Sequence, residues 1–120
     1  MKIDLHCHTL NCKKGDGKSR NATPELFKEK IETAGVKIVA ITNHNFFDIN
    51  QYYLLKDCVK DVCEVWPGIE FDVIEKGDKP GHVLVICNPN RVEEFSDIVN
   101  EQIKNSTPDV FTIKVTDLCR

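Results

Sequence analysis

Residues 36–45 read VKIVAITNHN. The first seven are nearly all apolar and rich in β-branched side chains. Such a run reads as a strand covered on both faces, the kind that builds a parallel sheet. The polar Asn-His-Asn that follows places a histidine, His44, at the strand's carboxyl end. Just upstream, TPELFKEKIETAG (residues 23–35) carries helix signals: Thr23 as N-cap, Pro24 in the first turn and Gly35 as the stop. Leu26, Phe27, Ile31 and Ala34 are its expected buried stripe. Downstream, DINQYYLLKDCVKDV (residues 48–62) reads as a second helix with Asp48 as its cap. EVWPGIEFDVI (64–74) reads as a third strand, broken early by Pro67, and EKGDKPG (75–81) as a turn. HVLVICN (82–88) follows as a fourth strand. PNRVEEFSDIVNEQIKN (89–105) is a third helix with Phe95, Ile98, Val99 and Ile103 at helical spacing, and DVFTIKVTDL (109–118) one more strand.

The front of the chain, KIDLHCH (residues 2–8), is a short strand with Ile3, Leu5 and Cys7 on one face and Asp4, His6 and His8 on the other. A polar loop, LNCKKGDGKSRNAT (10–23), joins it to the first helix. The resulting order, β-α-β-α-β-β-α-β, predicts an α/β fold with a mainly parallel sheet in a single domain of 120 residues. The chain shows no internal repeat and no low-complexity segment.

Composition narrows the function. The net charge of −3 leaves no basic footprint, and no aromatic-basic stripe is present, so nucleic acid is not the expected partner. No run approaches the roughly 18 apolar residues that span a bilayer. No apolar stretch follows Lys2, so no export signal is read and a reducing cytoplasm is expected. The six cysteines, Cys7, Cys12, Cys58, Cys63, Cys87 and Cys119, form no Cys-x-x-Cys pair and are expected to be free thiols. Cys58 and Cys63 are expected on different faces of one helix.

The chemistry lies in the histidines. His6 and His8 end strand one, His44 follows strand two and Glu70 lies in strand three. Side chains at the carboxyl ends of parallel strands gather around one mouth. His82 opens strand four, so it joins them only if that strand runs antiparallel or begins earlier. Two imidazoles on one strand face can reach a single ion, and a carboxylate has two oxygens with which to bridge two ions. Singly, each residue has a plainer reading: a surface histidine for His82, a solvated acid for Glu70, a turn residue for Asp16. Asp4 is either an ordinary acid or a partner that orients a histidine. Taken together, no histidine is left over for a plain role.

DLHCHT, AITNHN, GIEF and GHVLVI, in this order and spacing, resemble the first motifs of the polymerase-and-histidinol-phosphatase (PHP) superfamily. The likeness covers residues 2–88. It implies a distorted β/α barrel with a two- or three-metal site of zinc, manganese or iron, and phosphoester hydrolysis. Carried across, His6 and His8 hold the first metal, Glu70 bridges and acts catalytically, and His82 binds the second metal. His44 binds a third, with Asp16 from the loop as its partner, and shares the catalytic role. The second motif commonly reads Thr-Asp-His, whereas here Asn43 precedes His44, which weakens any charge or hydrogen-bond role of that aspartate. ITNHN is similar to a subgroup fused to ATPases. The family's late Asp-x-His motif is not matched, so the chain is expected to be the N-terminal part of such a domain, a truncated barrel.

Two classes of function follow from the resemblance. One is a metal-dependent phosphoesterase acting on a phosphorylated small molecule or nucleotide, its phosphate held on the ions and on Lys13, Lys14, Lys18 or Arg20. Those four cations also read as a solvated loop. The other is a non-catalytic metal-binding or docking module, completed by a second copy or another chain at an unpaired strand edge.

Overall fold

The apolar runs fold into one sheet of five strands with helices against it. The structure is a computed structural model that describes residues 1–10, 12 and 21–118. The elements are β1 (Lys2–Cys7), α1 (Pro24–Ala34), β2 (Val36–Ile41), α2 (Ile49–Cys58), β3 (Glu64–Glu75), β4 (Lys79–Ile86), α3 (Val92–Ile103), β5 (Ile113–Lys114) and α4 (Val115–Leu118). The strand order is β1-β2-β3-β4, and β5 pairs with β3. β1, β2, β3 and β5 run parallel, and β4 is antiparallel to β3. This is a mixed α/β architecture compatible with part of a β/α barrel. No helix among the described residues is long and apolar enough to cross a membrane.

β3 organises the sheet because it changes partner midway. Its residues 64–67 pair with β2, and residues 68–75 pair with β4. The expected break at Pro67 does not occur, and the strand runs through it. Pro67 closes the β2 register opposite Ile41, where its missing N–H is tolerated, and its carbonyl accepts from the Cys87 N–H at 2.9 Å. Gly68 occupies the handover, where both neighbouring strands crowd in. A Cβ there would lie 2.9 Å from the Val85 carbonyl oxygen and 3.1 Å from that of Ile41.

Pleating gives the sheet two different faces. Val65, Ile69, Phe71 and Val73 of β3 join one apolar core with Phe27 and Ile31 of α1, Tyr52 and Leu55 of α2, and Phe95 and Val99 of α3. The alternate residues of β3, Glu70 and Asp72, face the other way. Across the antiparallel ladder they pair with Leu84 and His82 of β4.

The caps behave as the sequence predicts. Thr23 Oγ1 accepts from the Leu26 N–H, and Gly35 ends α1 at φ 68°, a left-handed turn that favours glycine. Asp48 accepts from the N–H groups of Asn50 and Gln51 at the start of α2.

Several boundaries differ from expectation. Ala34 and Ile98 are exposed; α3 buries Val92, Phe95, Ser96 and Val99 instead, a stripe rotated away from Ile98. α2 ends at Cys58, so Cys63 lies beyond the helix, next to β3, and the two thiols do not share a helix. Residues 89–91 form a 3-10 turn before α3, capped by the Asn88 side chain. The last strand is only two residues long and passes directly into α4. β1 is an edge strand, exposed on both faces over most of its length, with Ile3 at 50% and Leu5 at 46% exposure. Cys7, Cys58, Cys63 and Cys87 are free thiols; Cys119 lies outside the described residues.

Candidate metal centre

Four histidines surround one carboxylate in an open depression of about 460 Å³, lined by His6, His8, His44, Glu70 and His82. Glu70 is the hub and is 3% exposed. His6 Nε2 lies 3.3 Å from its Oε2, and His8 Nε2 lies 3.0 Å from its Oε1. His44 Nε2 contacts the same Oε1, and His82 Nδ1 lies 3.3 Å from Oε2. The rings stand side by side around the hub, with neighbouring centroids 5.1, 4.5 and 5.7 Å apart from His6 to His8, His44 and His82. The condition set for His82 is met twice over: β4 is antiparallel and begins at Lys79, three residues earlier than the sequence suggests. His82 therefore sits within the strand, beside the carboxyl ends of β1 and β2.

Backbone bonds fix the hub. The Glu70 N–H donates to the Asn43 carbonyl and the Asn45 N–H donates to the Glu70 carbonyl, both at 2.9 Å, so His44 bridges directly beside Glu70. Asn45 holds this path at φ 50°, a left-handed conformation that asparagine tolerates.

Asn43, expected to be a weakened substitute for aspartate, makes three hydrogen bonds through its side chain among the described residues. Its Oδ1 accepts from the Thr9 N–H at 2.7 Å and the Leu10 N–H at 3.0 Å, and its Nδ2 donates to Thr9 Oγ1 at 3.0 Å. Thr9 Oγ1 in turn donates to Gln51 Oε1 at 3.0 Å. The hydrogen-bond role is thus intact, because a neutral amide supplies both acceptor and donor in a buried place where a carboxylate supplies acceptors alone. This network pins the turn that aims His8. Asp4 accepts from the His6 backbone N–H at 3.0 Å and so steadies the end of β1, without bonding an imidazole ring.

A family model for the PHP domain matches residues 4–109. The chain belongs to the PHP domain family. No curated protein matches the chain. PHP domains form a superfamily of metal-dependent phosphoesterases, and the donors of this PHP domain suit divalent metal. The ligand atoms of His6, His8 and Glu70 lie within 4.8 Å of one another, as do those of His44, Glu70 and His82. Nitrogens and oxygens that share an ion at about 2.0–2.2 Å stand at comparable separations. Four imidazoles cannot all be cationic around one carboxylate without strong repulsion. Neutral imidazoles that turn lone pairs inward could meet a cation, and His6, His8 and Glu70, or His44, Glu70 and His82, are the groups of donors that could hold one.

Burial pushes the Glu70 carboxyl up, but His44, His6 and His8, with a hydrogen bond from His6, outweigh burial and hold it below the ordinary carboxylate value. The hub is an anion. Asp16, Lys13, Lys14, Lys18 and Arg20 lie outside the described residues.

Two residues of this PHP domain escaped the sequence reading. Asp72 Oδ1 lies 3.2 Å from His82 Nε2, and Asn45, 0% exposed, binds Asp72 through both ends of its amide. A signal for Asp72 was present: it lies two residues after Glu70 on a strand and therefore on the same face.

Proposed function

We propose that the chain is a phosphoesterase whose activity depends on two divalent ions. The observation that carries this reading is the convergence of four imidazole nitrogens on the two oxygens of Glu70. His6, His8 and Glu70 would hold one ion; His44, Glu70 and His82 would hold the other. The bound ions supply Lewis acidity and a nucleophilic water at neutral pH. The protein's own contribution is placement. Glu70 spans both positions, Asn43 and Thr9 aim His8, and the Asn43–Asn45 backbone holds His44 beside the hub. The depression opens to solvent, which suits an exposed phosphoryl group on a phosphorylated small molecule or nucleotide. Zinc, manganese and iron all suit the histidine and carboxylate donors. The Asn-His-Asn at residues 43–45 supports a place in the ATPase-associated subgroup of the family.

A second reading, a metal-binding docking module, draws on β1, an edge strand among the described residues that exposes the apolar side chains Ile3 and Leu5. One experiment separates the two. The full chain, loaded in turn with zinc, manganese and iron(II), is assayed against an aryl phosphate and a nucleotide panel beside a His6→Ala/His8→Ala variant. Metal-dependent turnover that the double variant loses, together with at least one ion by elemental analysis, supports the enzyme. Metal without turnover supports the docking module. A full metal load in the double variant refutes the site.

A further inference from the structure

Three of the four histidines present the same nitrogen to Glu70, and the fourth does not. His6, His8 and His44 turn Nε2 to the carboxylate, whereas His82 turns Nδ1. The other nitrogen of His82, Nε2, lies 3.2 Å from Asp72 Oδ1. We propose that Asp72 is a positioning residue that fixes the His82 tautomer, so that His82 takes its ion through Nδ1. This inference rests on the metal-binding reading above.

An ionised carboxylate only accepts hydrogen bonds. The two atoms stand 3.2 Å apart without hydrogen-bond alignment in this structure; a small turn of the exposed His82 ring would let Nε2 donate its proton to Asp72 and leave the Nδ1 lone pair for the ion. Carboxylates that accept from a ligand's second nitrogen set both tautomer and ring angle in this way. The need is real here, because His82 is 55% exposed and packing alone holds its ring weakly.

Asp72 is itself held rigidly. Its backbone N–H donates to Asn45 Oδ1 at 2.9 Å, and Asn45 Nδ2 donates to Asp72 Oδ2 at 3.1 Å. One carboxylate oxygen therefore belongs to Asn45, and the other faces His82. The same Asn45 Nδ2 reaches the carbonyls of Pro108 at 2.9 Å and Phe111 at 3.2 Å, so the segment before β5 braces the relay. Asp72 and His82 are also direct cross-strand partners, which keeps their spacing constant.

The relay makes an unusual demand on an amide at position 72. Asn45 Nδ2 is a donor, so the oxygen of the new amide must face it. The new NH2 group then faces His82 and donates to Nε2. That places the imidazole proton on Nδ1, where the ion should bind. Asp72→Asn should therefore harm the site at least as much as Asp72→Ala, although Asn is the closer isostere.

The test is long-range 1H–15N correlation on the 15N-histidine-labelled full chain with and without zinc, alongside zinc titrations of wild type, Asp72→Ala and Asp72→Asn. Wild-type His82 should bind zinc through Nδ1 with a proton on Nε2. Both variants should weaken the His82-dependent zinc by roughly 10- to 100-fold, and zinc-free Asp72→Asn should show His82 protonated on Nδ1. Zinc bound to His82 through Nε2, or wild-type affinity in both variants, overturns the tautomer assignment and leaves the metal centre standing. A wild-type chain that binds no zinc, manganese or iron overturns both. If neither variant folds, the wild-type spectrum decides by itself.

Discussion

Replacing Asn43 by alanine tests whether one buried amide holds the first metal position in place. The change removes the acceptor of the Thr9 and Leu10 N–H groups and a donor to Thr9 Oγ1. Thr9 is 1% exposed, so water cannot replace the first bond, and an orphaned buried donor costs about 1–3 kcal/mol. Leu10 is partly exposed, and its N–H recovers part of its loss from water. The hydroxyl of Thr9 keeps its bond to Gln51, so its loss is that of one ordinary hydrogen bond, about 1 kcal/mol. The total is about 3 kcal/mol. For 120 residues unfolding with about 2.1 cal/mol/K per residue, that lowers Tm by about 12 °C. Urea and thermal unfolding in a chelator, with circular dichroism as the readout, measure it directly. Asn43→Asp supplies the internal control. A carboxylate keeps both backbone bonds, and Thr9 must turn its hydroxyl around and release Gln51, so the loss should be near 1 kcal/mol. A loss below about 0.5 kcal/mol for Asn43→Ala would refute the claim that this network fixes the turn after His8. Equal losses for Ala and Asp would show that the amide's donor, and not its acceptor, carries the effect.

Other expectations follow from single contacts. Glu70→Gln removes the charge that four imidazoles surround, and should cut a two-ion load to one or none by elemental analysis after dialysis; two retained ions would refute the bridge. Gly68→Ala forces a Cβ against the Val85 and Ile41 carbonyls on the two flanking strands, and should cost about 1–3 kcal/mol in urea unfolding, because neither backbone can retreat without opening its ladder. Burial first, then Asp4 and Cys63, pushes the Cys7 thiol up to about 11 from an ordinary 9.0. The folded chain therefore keeps this proton where the unfolded chain loses it, and the stability Cys7 contributes is full below about pH 9 and lost as pH rises through 11. Iodoacetamide at pH 9, mapped by mass spectrometry, should modify Cys7 much more slowly in native than in urea-unfolded protein; equal rates would refute its burial.

Local order was written in the sequence because its causes are local. Thr23, Pro24, Gly35 and Asp48 cap helices through contacts within a few residues, and VKIVAI is apolar enough to be a strand in any context. The hub was legible for a similar reason: His6, His8 and His44 lie at or just past the ends of β1 and β2, Glu70 lies just beyond the stretch of β3 that pairs with β2, and a parallel sheet brings such positions together whatever the loops do. The tertiary structure decided what depends on partners distant in the chain. Pro67 breaks a strand only if its missing N–H is needed, and the exchange of β2 for β4 at that point removes the need. Ile98 fits a helical stripe by spacing, yet the angle at which α3 lies against the core leaves it exposed. Asn43 looked like a lost charge until Thr9, 34 residues away, supplied its partners. Asp72 became a neighbour of His82 only through the antiparallel register, which no spacing along the chain records. Side-chain periodicity encodes faces, and register encodes neighbours; the first is a property of a segment, the second of two segments folded together.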